Sequence, residues 1–244
     1  MNGKWRALAR LMVLQATWNF ERMQGVGIGY ASLPLLEELK QRDVARHTEA
    51  VARATEFFNC HPYLAGIAVG ATVRAEYDGV PGVQIQRLRT ALCGPLGALG
   101  DRLFWAGVVP SVMAATCLAL TQGAGAPAVL MLVILYNVLR FATGVWSLNA
   151  GLGSGMQVSR ALADSWLTRA ASRINPVAGF LVGLLVPKSV MWLLAGADRQ
   201  FVALAVVLGI VGAALSFRYP SRATSFRFGM ITLVIALLLA GSMA

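Results

Sequence analysis

The stretch PAVLMLVILYNVLRFATGVW, Pro127–Trp146, carries one charge, Arg140, in an otherwise apolar run. About 20 such residues in a helix match the hydrocarbon core of a bilayer. Four further runs follow the same pattern: Ala106–Gln122, Ile174–Ala195, Phe201–Phe217 and Phe228–Met243. Arg140 lies toward one end of its run and is expected to snorkel. Lys188 sits deeper and must reach a headgroup or the bundle interior.

Composition agrees with these spans. The chain has 244 residues, of which 57% are hydrophobic and only 13% charged, and its mean hydropathy is +0.63. Soluble domains carry roughly 25% charged residues. Disordered chains are poor in apolar residues, so disorder is excluded. Three cysteines, Cys60, Cys93 and Cys117, are too sparse for a disulfide scaffold. The fold class that remains is an all-α integral membrane protein, a polytopic helical bundle.

The formal net charge of +10 comes from 21 Lys+Arg and 11 Asp+Glu. Nucleic acid is not needed to explain it, because cytoplasmic loops of membrane proteins concentrate Lys and Arg against lipid headgroups. Arg160, Arg169 and Arg173 precede the third apolar run, and Arg218, Arg222 and Arg227 separate the fourth from the fifth. The positive-inside rule then puts 1–105, 147–173 and 218–227 in the cytoplasm. It puts 123–126, 196–200 and the C-terminus outside.

The acids divide the chain near residue 105. Only Asp164 and Asp198 of the 11 acids lie beyond it. Residues 1–105 therefore read as a polar region, with amphipathic and re-entrant segments, and 106–244 as the transmembrane region. Leu8–Trp18 reads as an amphipathic helix at the interface. Leu36–Phe58, free of Pro and Gly, reads as one charged helix. Gly25–Leu36 and Pro62–Val73 are too short to span. They read as re-entrant or broken helices, or as small-residue helices packed closely. The Gly-rich stretch Gly144–Gly155 reads as a cytoplasmic turn.

Three polar-aromatic clusters flank the short runs. They are Trp18-Asn19-Phe20-Glu21-Arg22-Met23-Gln24-Gly25, Phe57-Phe58-Asn59-Cys60-His61-Pro62-Tyr63, and Cys93 to Trp105 with Gly94, Pro95, Gly100 and Asp101. Together, in order and spacing, they resemble the IID component of the mannose/fructose/sorbose family of the bacterial sugar phosphotransferase system. The resemblance covers residues 15–146. Cys60, Arg102 and Tyr77 depart from the family's usual residues.

The resemblance implies a subunit of a permease in the bacterial cytoplasmic (inner) membrane, part of a hetero-oligomer. A IIC membrane subunit would share the hexose pathway, and cytoplasmic IIA and IIB subunits would carry the phosphate. It implies no cofactor, no metal and no catalysis by this chain. The residues agree with that division: the chain has two histidines, His47 and His61, and no Gly-rich phosphate loop.

Sugars are held by planar amides, carboxylates and aromatic faces. Gln24, Asn59, Glu76 and Asp101 are the sugar-binding candidates. Each has a structural alternative: Asn59 as a cap before Pro62, Asp101 as a cap to a helix beginning near Leu103. Trp18, Asn19, Glu21, Arg22, Phe58, His61, Pro62, Gly94, Pro95, Gly100 and Trp105 read as structural motif residues. The rival functions are a non-transporting membrane scaffold or regulatory subunit of a degenerate phosphotransferase system, and a lipid-modifying enzyme. No paired acids or metal-ligand spacing support the enzyme.

Overall fold

The computed structural model describes residues 3–193 and scattered positions between 203 and 218. The fourth and fifth apolar runs lie outside the described residues apart from those positions. The first 185 residues form one compact unit. Among the described residues three helical stretches are long and apolar enough to cross a membrane: Gly82–Thr121, Gly125–Ala163 and Trp166–Ser189. They contain the first run as far as Thr121, the whole of the second and most of the third.

Helix α1, Lys4–Met12, buries Ala7, Leu8 and Leu11 and leaves its charged face outward. It ends at Met12, before the expected limit of Trp18, and a 3-10 turn, Leu14–Thr17, follows. Helix α2 spans Gly25–Arg42 and α3 spans Val44–Ala54. The single helix expected over 36–58 is thus broken at Asp43. Its backbone is extended and its carboxylate accepts from the Arg46 N–H at 2.9 Å. An N-cap carboxylate starts a helix as firmly as glycine ends one.

A 3-10 turn, Pro62–Leu64, leads into α4, Ala65–Tyr77. Both small-residue runs are helical: Gly25–Leu36 lies within α2, and Pro62–Val73 is this turn and the start of α4. Helix α5, Gly82–Gly100, continues through an eight-residue π-helical segment, Asp101–Val108, into α6, Val109–Thr121. Pro110 gives a local reason for the wide turn, since its ring crowds the carbonyl one turn back and it offers no N–H. The helix widens here without breaking, and residue 105 falls inside the widened segment.

Helix α7, Gly125–Ser154, absorbs nearly all of the Gly-rich stretch expected to be a turn; the chain turns only at Gly155, with φ 49°. The glycines serve packing. A Cβ at Gly151 would lie 2.3 Å from the Ile67 carbonyl oxygen, and one at Gly70 2.5 Å from the Leu152 nitrogen. Helices α4 and α7 therefore meet backbone to backbone. A short helix α8, Val158–Ala163, precedes α9, Trp166–Leu193.

Candidate functional site

The three motif clusters converge on one cavity. It has a volume of about 730 Å³ and is lined by polar and aromatic groups including Trp18, Gln24, Asn59, Asp101 and Trp105. Each wall has a local cause.

The first wall is a tight turn. The Asn19 Oδ1 accepts from the N–H groups of Glu21 and Arg22, at 3.1 and 2.8 Å. Asn19 and Met23 exchange both backbone hydrogen bonds, and Met23 takes φ 51°. Trp18 and Phe20 meet edge to face at 4.8 Å. Glu21 and Arg22 make a loose, exposed ion pair at 4.0 Å.

The second wall is the 57–63 loop, held by Gln24. The Gln24 amide nitrogen donates to the Cys60 carbonyl at 2.7 Å, and its oxygen accepts from the Cys60 N–H at 3.2 Å. Backbone bonds from Gln24 to Phe58 and from Phe58 to Arg22 complete the clamp. Phe58 is buried beneath the Arg89 guanidinium, 5.2 Å from the ring centre. Burial pushes the Cys60 thiol up, so it stays protonated.

The third wall is one face of α5 and the π segment. Gly94, Gly97, Ala98, Asp101 and Trp105 recur at helical spacing and line the cavity. Gly100 faces the other way: a Cβ there would lie 2.1 Å from His61 Cβ. The Gly-Asp pair thus seats His61 on one side and presents a carboxylate on the other. Pro95 lies inside α5 and Pro62 opens the 3-10 turn.

Three of the four candidates are brought together, in different states. Gln24 is buried and its amide is spent on the loop. Asn59 and Asp101 are exposed at the cavity wall, and among the described residues neither side chain has a hydrogen bond. Asn59 caps nothing; the cap of the Pro62 turn is His61, whose Nδ1 accepts from the Tyr63 N–H at 3.3 Å. Asp101 caps nothing either, because the chain stays helical on both sides of it and only widens to π geometry from there. Glu76 lies apart. Its carboxylate takes Arg53 at 2.9 Å and Arg46 at 3.2 Å, which ties α3 to α4.

His61 is buried in an aromatic nest. It stacks on Phe104 at 5.0 Å and meets Tyr63 edge to face at 4.8 Å. Burial lowers its pKa to about 4. The unfolded chain then binds a proton that the folded one refuses. Stability should be complete above about pH 6.5 and fall as pH drops toward 4, by about 2–3 kcal/mol. His61→Asn should flatten that part of a pH-dependent thermal unfolding curve.

Sequence reasoning missed Arg46 and Arg53 and misplaced Arg140. Arg46 and Arg53 stand seven apart, which places both on one face of α3; that spacing was the available signal. Arg140 does not snorkel. It turns inward, donates to the Met12 carbonyl and lies 5.5 Å from the Tyr63 ring centre. Tyr63 in turn shares a hydrogen bond with Tyr136.

The arrangement defines a class: a multi-pass helical membrane protein with a polar-aromatic cavity between its N-terminal helices and its first span. Residues 3–217 match the model of the PTS system mannose/fructose/sorbose family IID component, and the chain belongs to that family. It is 29% identical over 184 residues to the PTS system mannose-specific EIID component of Escherichia coli K12, covering 73% of this chain and 65% of the relative. It is 31% identical over 180 residues to the fructose permease IID component of Bacillus subtilis, covering 72% and 65%.

The matched region thus spans just under two thirds of the length of these curated relatives. The fold is shared with a solved chain described only as a membrane protein, with TM-score 0.66, 22% identity, and coverage of 86% of this chain and 95% of that one. It is also shared with the mannose transporter ManYZ, solved in complex with microcin E492. There the TM-score is 0.56 at 22% identity, covering 96% of this chain and 94% of that one.

Proposed function

We propose that this chain is a non-catalytic IID subunit that shares a hexose translocation pathway with a IIC chain in the bacterial inner membrane. IIA and IIB partners would carry the phosphate. Residues 1–105 would supply the pathway wall, and 106–244 the anchor.

One observation carries this reading. Asn59 and Asp101, an amide and a carboxylate whose side chains make no hydrogen bond or ion pair among the described residues, face one cavity beside Trp18 and Trp105, whose exposures are 44% and 46%. A sugar needs that combination of bidentate polar groups and flat apolar faces. Gln24 contributes by holding the loop, and Glu76 by holding α4.

Asn59→Ala and Asp101→Asn are each expected to lower hexose uptake about tenfold, as the loss of one good hydrogen bond to a ligand does. The amount of chain in the membrane should stay unchanged, because neither side chain is buried. Full uptake in both variants would overturn the reading and favour a scaffold.

A further inference from the structure

A second feature lies on the opposite side of Phe104. A groove of about 420 Å³ runs between the π segment, α7 and α9, lined by Phe104, Val108, Leu139, Trp166, Arg173 and Val177 among others. A second trough, of about 370 Å³, follows along the same seam, between α6, α7 and α9, with Val112, Ala119, Ala128, Leu135 and Leu181 on its walls. From Leu139 to Ala128 the seam runs about 16 Å at 1.5 Å per residue. That length accommodates most of an acyl chain.

The two troughs are apolar apart from Thr143, Ser111 and Thr116, whose hydroxyls bond carbonyls of their own helix, and, at one end, Arg173, the one charged group in their walls. Arg173 is exposed, and among the described residues its guanidinium has neither a hydrogen bond nor an ion pair. It immediately precedes the apolar run beginning at Ile174, which puts the cation at headgroup level. Trp166, half-exposed and paired edge to face with Trp146 at 6.1 Å, lies on the headgroup side of it. Aromatic rings with a polar edge belong at that level. The positive-inside pattern assigns this end to the cytoplasmic leaflet, where anionic lipids are found.

We infer that the seam is a binding site for one phospholipid with an anionic headgroup, its phosphate on Arg173 and its acyl chain in the two troughs. Charge selects the headgroup and the apolar walls select the chain. The lipid would rest on Phe104, whose ring also stacks on His61 behind the cavity. The site would thus brace the wall that carries Asp101 and Trp105. The inference needs no sugar and no particular transport activity.

The test uses the full-length chain in vesicles of equal parts phosphatidylglycerol and phosphatidylcholine. Each lipid in turn is doped with a copy carrying a photoactivatable acyl chain. Peptides covering 103–108, 128–139 and 170–181 should be labelled, with phosphatidylglycerol favoured about fivefold, the effect of one cation at the surface. Arg173→Ala should abolish the preference while labelling persists, and Arg160→Ala, off the groove, should leave the preference intact.

Equal labelling by both lipids in the unmodified chain would overturn the inference. So would an unchanged ratio in Arg173→Ala, or an equal loss in Arg160→Ala, which would mean a diffuse surface potential. The chain is also to be extracted from its own membrane with any accompanying chain. Loss of lipid labelling from these peptides in that sample would mean that the seam is a protein interface.

Discussion

Gly151→Leu should prevent the chain from accumulating in a folded form, with a loss of about 4 kcal/mol or more in stability. The position of the missing Cβ dictates this. It would fall 2.3 Å from the Ile67 carbonyl oxygen and 2.9 Å from the Ala71 nitrogen. Both are backbone atoms of α4, so no rotamer change relieves the clash. The helices would have to separate, and close-packed interiors do not open without losing contacts along the whole crossing. Effects of this size come from a short list of causes, and forced overpacking is one.

Gly153, two residues on, is the control, because a Cβ there meets nothing within 4 Å. Gly153→Ala should be neutral or raise stability by up to about 1 kcal/mol through helix propensity. Thermal unfolding in lipid nanodiscs reads both. A Gly151→Leu protein as stable as the unmodified chain would mean that α4 and α7 do not meet there.

These two glycines also mark how far the sequence could be read. The spans were legible because a bilayer imposes length and apolarity on any helix that crosses it, whatever its neighbours. The three motif clusters were legible as a group, and the cavity they line is where Gln24, Asn59 and Asp101 come together. The Gly144–Gly155 run was misread because glycine content is ambiguous in one dimension. The same residue opens a turn or permits a backbone contact, and only the partner helix decides which. Arg140 was misread for the same reason: its inward partners, Met12 and Tyr63, are 128 and 77 residues away in the chain.

Asp43 differs, because its signal is local: a strong N-cap residue divides a stretch that holds no Gly or Pro, and capping alone separates α2 from α3. Glu76 is a sugar-binding candidate as a carboxylate beside a small-residue run; two arginines from α3 pair with it, and nothing local in α4 announces them.

That cluster carries the second large effect. Glu76→Ala should cost about 3–5 kcal/mol. The Glu76 side chain is 4% exposed, that of Arg53 16% and that of Arg46 25%. Removing the carboxylate leaves two like charges facing one another in a nearly dry space, with only Glu49 on the outer edge for Arg53 and the Val80 carbonyl for Arg46. Breaking a buried pair from one side is far more damaging than never having it.

The double variant Arg53→Met with Glu76→Met separates the two. It removes the most buried charges together and fills their volume with apolar atoms, so it should recover at least half of the single variant's loss. Arg46 is the less buried cation and keeps its bond to Val80, so it can turn toward water. Unfolding midpoints of the single and double variants in the same nanodiscs decide the matter. A Glu76→Ala chain of unaltered stability would remove the ion cluster from the account of α3 and α4. Stability recovered by the paired methionines without sugar uptake would mean that the Arg53–Glu76 pair serves the pathway as well as the packing of α3 on α4.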